Sequence, residues 1–245
     1  KDSAEAKDIK SSMAGYISVS LELLAMQPVP DDAAIHDVRV LMKKYRAALK
    51  LVKPILDEAV YRREYLAGRE TGRLLAQWRE SAVLRKTAKA LKKDNPELFI
   101  RLDGNEKIQK LLRKSYSTWE QAGDSAKLVH EVAERLKKTH YRLRFLSLNE
   151  PDMRLMQGEL GRSHAAASAA YLACRNKPVA RLLHDFRKKS KTLMYQLTFF
   201  RHLAPKSVRQ LEKRLGVMTQ NLGKYNDLAQ LMLLTEYRYG DPENS

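Results

Sequence analysis

Apolar residues recur at intervals of three and four along most of the chain, and each such run predicts a helix. The first covers about 2–26, with Ile9, Met13, Tyr16, Ile17, Leu21 and Leu24 at helical spacing. Gln27-Pro28-Val29-Pro30 stops it. Asp31 or Asp32 is a suitable N-cap for a second helix over about 32–52, ending near Pro54. A third is expected over about 61–94. Asn95-Pro96-Glu97 supplies cap, first-turn proline and first-turn acid for a fourth, interrupted at Asp103-Gly104-Asn105. Further helices fit 125–148, 152–175, 179–203 and 206–238, and Gly240 to Ser245 read as a frayed tail. Asn149-Glu150-Pro151-Asp152 is the sharpest break. No segment sustains strand alternation, so the expected fold class is all-α, with turns between packed helices.

Composition agrees. Only 10 Gly and 8 Pro in 245 residues leave little material for the hairpins of an all-β fold. An apolar share of 44% supports a real core and excludes a wholly disordered basic tail. No apolar stretch approaches the roughly 18 residues of a membrane span, so no membrane partner is expected. Lys1-Asp2-Ser3-Ala4-Glu5 lacks the apolar region of a signal peptide, and the absent initiator methionine fits a segment of a longer protein. Cys174 has no second cysteine to pair with, which fits a reducing, cytoplasmic compartment and a small buried side chain.

Charge changes the picture most. The 46 Lys and Arg outweigh 29 Asp and Glu, for a formal charge of +17. Such a surplus calls for a polyanion: nucleic acid, an anionic membrane or a polyphosphorylated ligand.

The chain also repeats itself. Ile35-His36-Asp37-Val38-Arg39 matches Leu183-His184-Asp185-Phe186-Arg187, and the match runs on without a gap through Lys43 on Lys191, Leu49 on Leu197 and Lys53 on Arg201. Leu75 to Glu80 then stands opposite Leu222 to Asp227. Two weak similarities at nearly equal spacing argue for a duplication with its junction near 149–151. The expected organisation is one domain over 1–245, in two helical halves, 1–149 and 150–245. The first half holds more sequence, so the repeat is imperfect.

On the second helix, His36, Arg39, Lys43, Arg46, Lys50 and Lys53 fall within an arc of roughly 100° and along roughly 26 Å. Val38, Leu41, Tyr45, Ala48, Leu49 and Val52 lie mostly outside that arc. Like charges at this spacing weaken a helix, and no carboxylate shares the stripe. A solvated face usually mixes signs, so a linear anion site accounts better for it. The second copy is thinner. It keeps His184, Arg187, Lys191 and Arg201, but Met194 and Thr198 replace Arg46 and Lys50. Lys188 and Lys189 compensate from adjacent faces, and Lys206, Arg209 and Lys213 open the last helix with another stripe. One continuous basic surface is expected. Tyr45, Phe186, Phe199 and Phe200 lie off the stripes and are expected in the core, which leaves cations without stacking platforms and favours phosphate without bases.

These residues resemble a known family. His36-x-x-Arg39-Val40-x-x-Lys43-x-x-Arg46, its second copy His184-x-x-Arg187-x-x-x-Lys191, and the later Arg79-Glu80 and Asn226-Asp227 look like the CHAD domain, the conserved histidine α-helical domain. The resemblance spans roughly 12–237. It implies two similar helical bundles related by a pseudo-twofold axis and binding of inorganic polyphosphate in a basic cavity or groove. It also implies association with polyphosphate granules and a neighbouring triphosphate-tunnel (CYTH) domain in the full-length protein. The family's basic positions carry over to His36, Arg39, Lys43, Arg46 and Lys50, and to His184, Arg187 and Lys191. Thr192-Leu193-Met194 departs from the family's usual basic run after Lys191, and Glu80 replaces its usual aspartate.

Other candidates weigh less. Arg79, Glu80, Asn226 and Asp227 either orient the stripes from a facing helix or make helix–helix hydrogen bonds. Lys138 and Arg142 share a face that is either solvated or a contact. His130-Glu131-x-x-Glu134 lacks a zincin's second histidine. No catalytic residue, metal site or cofactor is expected. The expected function is non-catalytic polyphosphate binding. The alternatives are an RNA- or DNA-binding module and a metal-dependent phosphohydrolase, which would need several acids for Mg²⁺. Nucleic acid is otherwise expected only as a non-specific competitor.

Overall fold

Aspartates set the helix starts nearest the basic stripe. Asp31 accepts a hydrogen bond from Ala34 N at 2.7 Å, and Asp57 accepts from Ala59 N and Val60 N at 2.9 and 3.1 Å. Each satisfies backbone donors that a first helical turn leaves unpaired. A computed structural model of the chain describes residues 2–26, 30–113, 122–148 and 153–235, and every regular element among them is helical. The helices are α1 (Asp2–Ala25), α2 (Asp32–Leu51), α3 (Glu58–Leu74), α4 (Ala76–Asp94), α5 (Pro96–Asp103), α6 (Glu106–Arg113), α7 (Ala122–Arg144), α8 (Met153–Asn176), α9 (Ala180–Leu197) and α10 (Pro205–Thr235). Short 3-10 turns, Lys53–Ile55 and Thr198–Phe200, follow α2 and α9.

The all-α expectation holds, and two boundaries differ in an informative way. The helix expected over 61–94 starts three residues earlier, at the Asp57 cap, and is broken at Leu75. Leu75 turns its whole side chain into the main core, and α4 leaves in a new direction to pack against α10. The helix expected over 179–203 tightens into its 3-10 turn after Leu197, which buries Phe200. The expected break at 149–152 and the tail at 240–245 lie outside the described residues.

The main core joins α1, α2 and α7, with Met13, Ile17, Val38, Met42, Tyr45 and Val132 fully buried. Each such aliphatic side chain contributes about 1.5–3 kcal/mol by leaving water. Smaller clusters hold α8, α9 and α10 together through Ala167, Leu193, Cys174 and Phe186. Another joins α4, α5 and α6 to Leu231 of α10. Around the centre, α1 and α3 pack on α2, α8 and α10 pack on α9, and α2 packs against α9. Gln196 of α9 donates from Nε2 to the Ala47 carbonyl of α2 at 3.2 Å inside this seam. The basic motif helices are therefore the two central helices of the fold. No described helix is long and apolar enough to cross a membrane.

Candidate anion-binding cavity

The amphipathic pattern of α2 and α9 decides where their cations go. Each helix buries its apolar face, so the adjoining basic faces meet across the seam. Between them lies a cavity of about 470 Å³. From α2 come Arg39, Lys43, Arg46 and Lys50; from α9 come His184, Asp185, Arg187, Lys188, Lys189 and Lys191. Ala47 of α2, Tyr65 of α3, Ser163 and Ala166 of α8, and Thr192 and Tyr195 of α9 complete the wall. Among the described lining residues, eight Lys and Arg face one carboxylate, Asp185.

Several of these side chains are held in place. Arg39 donates from Nη1 to the Gly72 carbonyl of α3 at 2.8 Å, and Arg187 donates from Nε to the Thr219 carbonyl of α10 at 3.3 Å. Each motif arginine is thus anchored to the helix that follows it in the chain. Gly223 of α10 sits directly against Arg187. Gly68 of α3 lets that helix approach α2 closely, for a Cβ there would meet the Tyr45 ring at 2.9 Å. The approach brings Tyr65 beneath Arg46, whose guanidinium lies 5.8 Å from the ring centroid. Lys191 lies over the Tyr195 ring at the same distance. His184 Nδ1 and Asn226 Oδ1 are 2.7 Å apart, and this bond fixes the ring against α10.

Crowding of cations shows in the acid–base chemistry. The Lys43 ammonium is pushed down to about 8, by burial first and then by Arg39, Arg187, Arg46 and Lys191. Lys191 is lowered in the same direction by burial, then by Arg187 and Lys44. Positive charges from both helices are close enough to discourage one another's protonation.

The cavity gathers part of the expected stripe and not the rest. His36, partly buried at the start of α2, does not line it. Lys53 also stays outside, 3.6 Å from Glu58 and over the Tyr61 ring. Arg201 is drawn away by Glu212 at 2.8 Å. Lys206, Arg209 and Lys213 are exposed on α10 and do not reach the cavity. The cavity therefore takes in only part of the expected basic surface. The share of the second copy is larger than expected, because Lys188 and Lys189 line the wall alongside Arg187 and Lys191.

Among the supporting candidates, Asn226 makes the helix–helix hydrogen bond to His184, while Asp227 does not line the cavity. The side chains of Arg79 and Glu80 lie outside the described residues. Lys138 is exposed on α7, on a separate shallow surface. Arg142 does not line the cavity and is engaged elsewhere. It forks onto Glu64 through Nε at 2.6 Å and Nη2 at 3.0 Å, and Glu64 is 1% exposed. Arg63 Nε also reaches Glu64 at 2.8 Å, and the Tyr45 hydroxyl lies 3.4 Å from it. Tyr45 and Phe200 are in the main core, Phe199 packs against it, and Phe186 and Cys174 share a smaller cluster, as expected.

The sequence reading did not single out Tyr65, Ser163, Ala166, Tyr195 or Glu64. The first three sit on helices outside the repeated motif. Tyr195 reads as one more apolar position of α9.

No curated protein and no solved structure matches the chain. The model of the CHAD domain family matches residues 22–235, a span that contains both motif helices and every residue lining the cavity. The chain belongs to the CHAD domain family.

Proposed function

We propose that this chain is a non-catalytic module that binds inorganic polyphosphate in the cavity between α2 and α9. The observation that carries the reading is the convergence of eight Lys and Arg on one cavity against a single described carboxylate. A polyanion would relieve that repulsion. Each Lys or Arg that neutralises a phosphate releases condensed counterions, and arginine can hold two phosphate oxygens at once. Membership in a family associated with polyphosphate binding supports the same ligand.

The tyrosines favour phosphate over nucleic acid. Tyr65 and Tyr195 carry Arg46 and Lys191 over their ring faces, which leaves less aromatic surface for bases. The described wall also favours binding over hydrolysis, because its one carboxylate already pairs with lysines.

The anchoring of Arg39 and Arg187 at matching places supports descent from a duplicated half with pseudo-twofold symmetry. The family resemblance also supports, as part of this proposal, a cytoplasmic place on polyphosphate granules and a neighbouring CYTH domain.

Affinity for long-chain polyphosphate at physiological salt, about 0.15 M, tests the reading against RNA of matched phosphate content. Tighter binding of polyphosphate is expected, falling steeply as salt rises. Arg39→Ala with Lys43→Ala is expected to abolish most of the binding while circular dichroism stays unchanged. Equal binding of RNA and polyphosphate, or an unaffected double variant, overturns it.

A further inference from the structure

Asp185 is out of place in a cavity for anions. It lines the wall among the cations of α9, one residue from His184. Its Oδ2 lies 2.8 Å from Lys189 Nζ and its Oδ1 3.6 Å from Lys188 Nζ. Lys189, Lys188 and Asp185 keep 40%, 60% and 38% of their side chains exposed, so the three form a rim open to water. Lys43 and Lys191 stand deeper in the wall, where burial lowers the pKa of both ammonium groups.

The first copy of the motif has no such group. Asp37, the counterpart of Asp185, is exposed and does not line the cavity. Val40 and Leu41 stand where Lys188 and Lys189 stand in the second copy. An aspartate followed by lysines at i+3 and i+4 ties those lysines to its own helix. An incoming phosphate must therefore compete with the carboxylate for these lysines, and it meets the repulsion of that carboxylate as it approaches.

We infer that Asp185 is a specificity-determining residue, an internal counter-ion that holds Lys188 and Lys189 until a phosphate chain long enough to reach the rim displaces it. The inference rests on the polyphosphate reading of this cavity. A short chain fills the deeper cations and leaves the rim closed. A long chain runs out past Lys188 and Lys189, takes both from Asp185, and gains contacts that a short one lacks. Asp185 thereby sets a charge threshold that a weak or short anion does not meet.

The test compares triphosphate with long-chain polyphosphate on the wild type, Asp185→Asn and Asp37→Asn. Asp37→Asn makes the same change of charge on an exposed position outside the cavity. Asp185→Asn is expected to tighten the long chain about tenfold and triphosphate no more than about twofold. Asp37→Asn is expected to change either by less than about twofold. In a Lys188→Gln, Lys189→Gln background the Asp185→Asn effect is expected to vanish, which isolates the coupling. Asp185→Ser serves in place of Asp185→Asn if thermal unfolding shows the latter to be misfolded. If Asp185→Asn matches Asp37→Asn, weakens binding, or tightens both chain lengths equally, Asp185 is not the gate. If the wild type binds no polyphosphate, the functional reading itself falls and takes this inference with it.

Discussion

The Arg187 guanidinium fills the space that a side chain on Gly223 would need. A Cβ at that position would stand 3.2 Å from Nη2 and 3.3 Å from Nε. The glycine thus sets how close a cavity arginine sits to α10, on a helix where alanine would otherwise be preferred. Gly223→Ala is expected to leave Tm unchanged or raised, since alanine gains up to about 1 kcal/mol of helix propensity. Polyphosphate affinity is expected to fall a few-fold as Arg187 is pushed outward. A calorimetric scan beside a binding titration separates the two effects.

Lys43 costs the empty protein stability. Its folded pKa of about 8 lies below the usual 10.5, so protonating it in the fold costs about 3 kcal/mol more than in the unfolded chain. Lys43→Met removes that penalty in a largely buried place. It is expected to raise Tm by several degrees, on the order of 5 °C, while weakening polyphosphate binding. A variant that unfolds earlier than wild type would show that packing of the lysine stem outweighs the charge.

The same residue predicts a pH dependence with a definite sign. The unfolded chain holds the Lys43 proton up to about 10.5 and the empty fold releases it near 8. Stability of the empty protein should therefore gain from this group as pH rises from about 8 towards 10. Bound phosphate raises the lysine pKa again, so binding above about pH 8 takes up a proton and affinity declines with rising pH. Titration calorimetry at pH 8.5 in buffers of different ionisation enthalpy would register that proton, and Lys43→Met should remove most of it.

Arg142 should behave as a structural residue. Removing it strands the Glu64 carboxylate, buried at 1% exposure, with Arg63 as its remaining charged neighbour. Arg142→Met is expected to cost about 3–5 kcal/mol of stability in denaturant unfolding. Below the transition, polyphosphate affinity per folded molecule is expected to stay within about twofold of wild type, because the side chain does not reach the cavity.

The helices around the site were legible because α2 and α9 combine strong apolar faces with long basic ones. Arg39, Lys43, Arg46 and Lys50 follow from helical phase alone, and α2 presents all four to one space. Phase does not report where the next helix begins. Lys206 and Arg209 continue the pattern on paper, yet a 3-10 turn intervenes at Thr198–Phe200 and neither residue lines the cavity. The face of α3 was faint for a different reason. Its buried residues are Glu64, Gly68 and Thr71, a charge, a glycine and a hydroxyl, which give no apolar period. The partner that explains Glu64, Arg142, is 78 residues away in the chain.

Half of the cavity's cations come from α2 and half from α9, nearly 150 positions later in the sequence. An emerging chain that has formed only α2 carries a row of charges but no enclosed site. The cavity comes into being when α9 docks on α2, the step that also buries Gln196 against Ala47. On the proposed reading, a polyphosphate chain held there would recognise only the finished fold, and would stabilise it in proportion to the logarithm of its concentration.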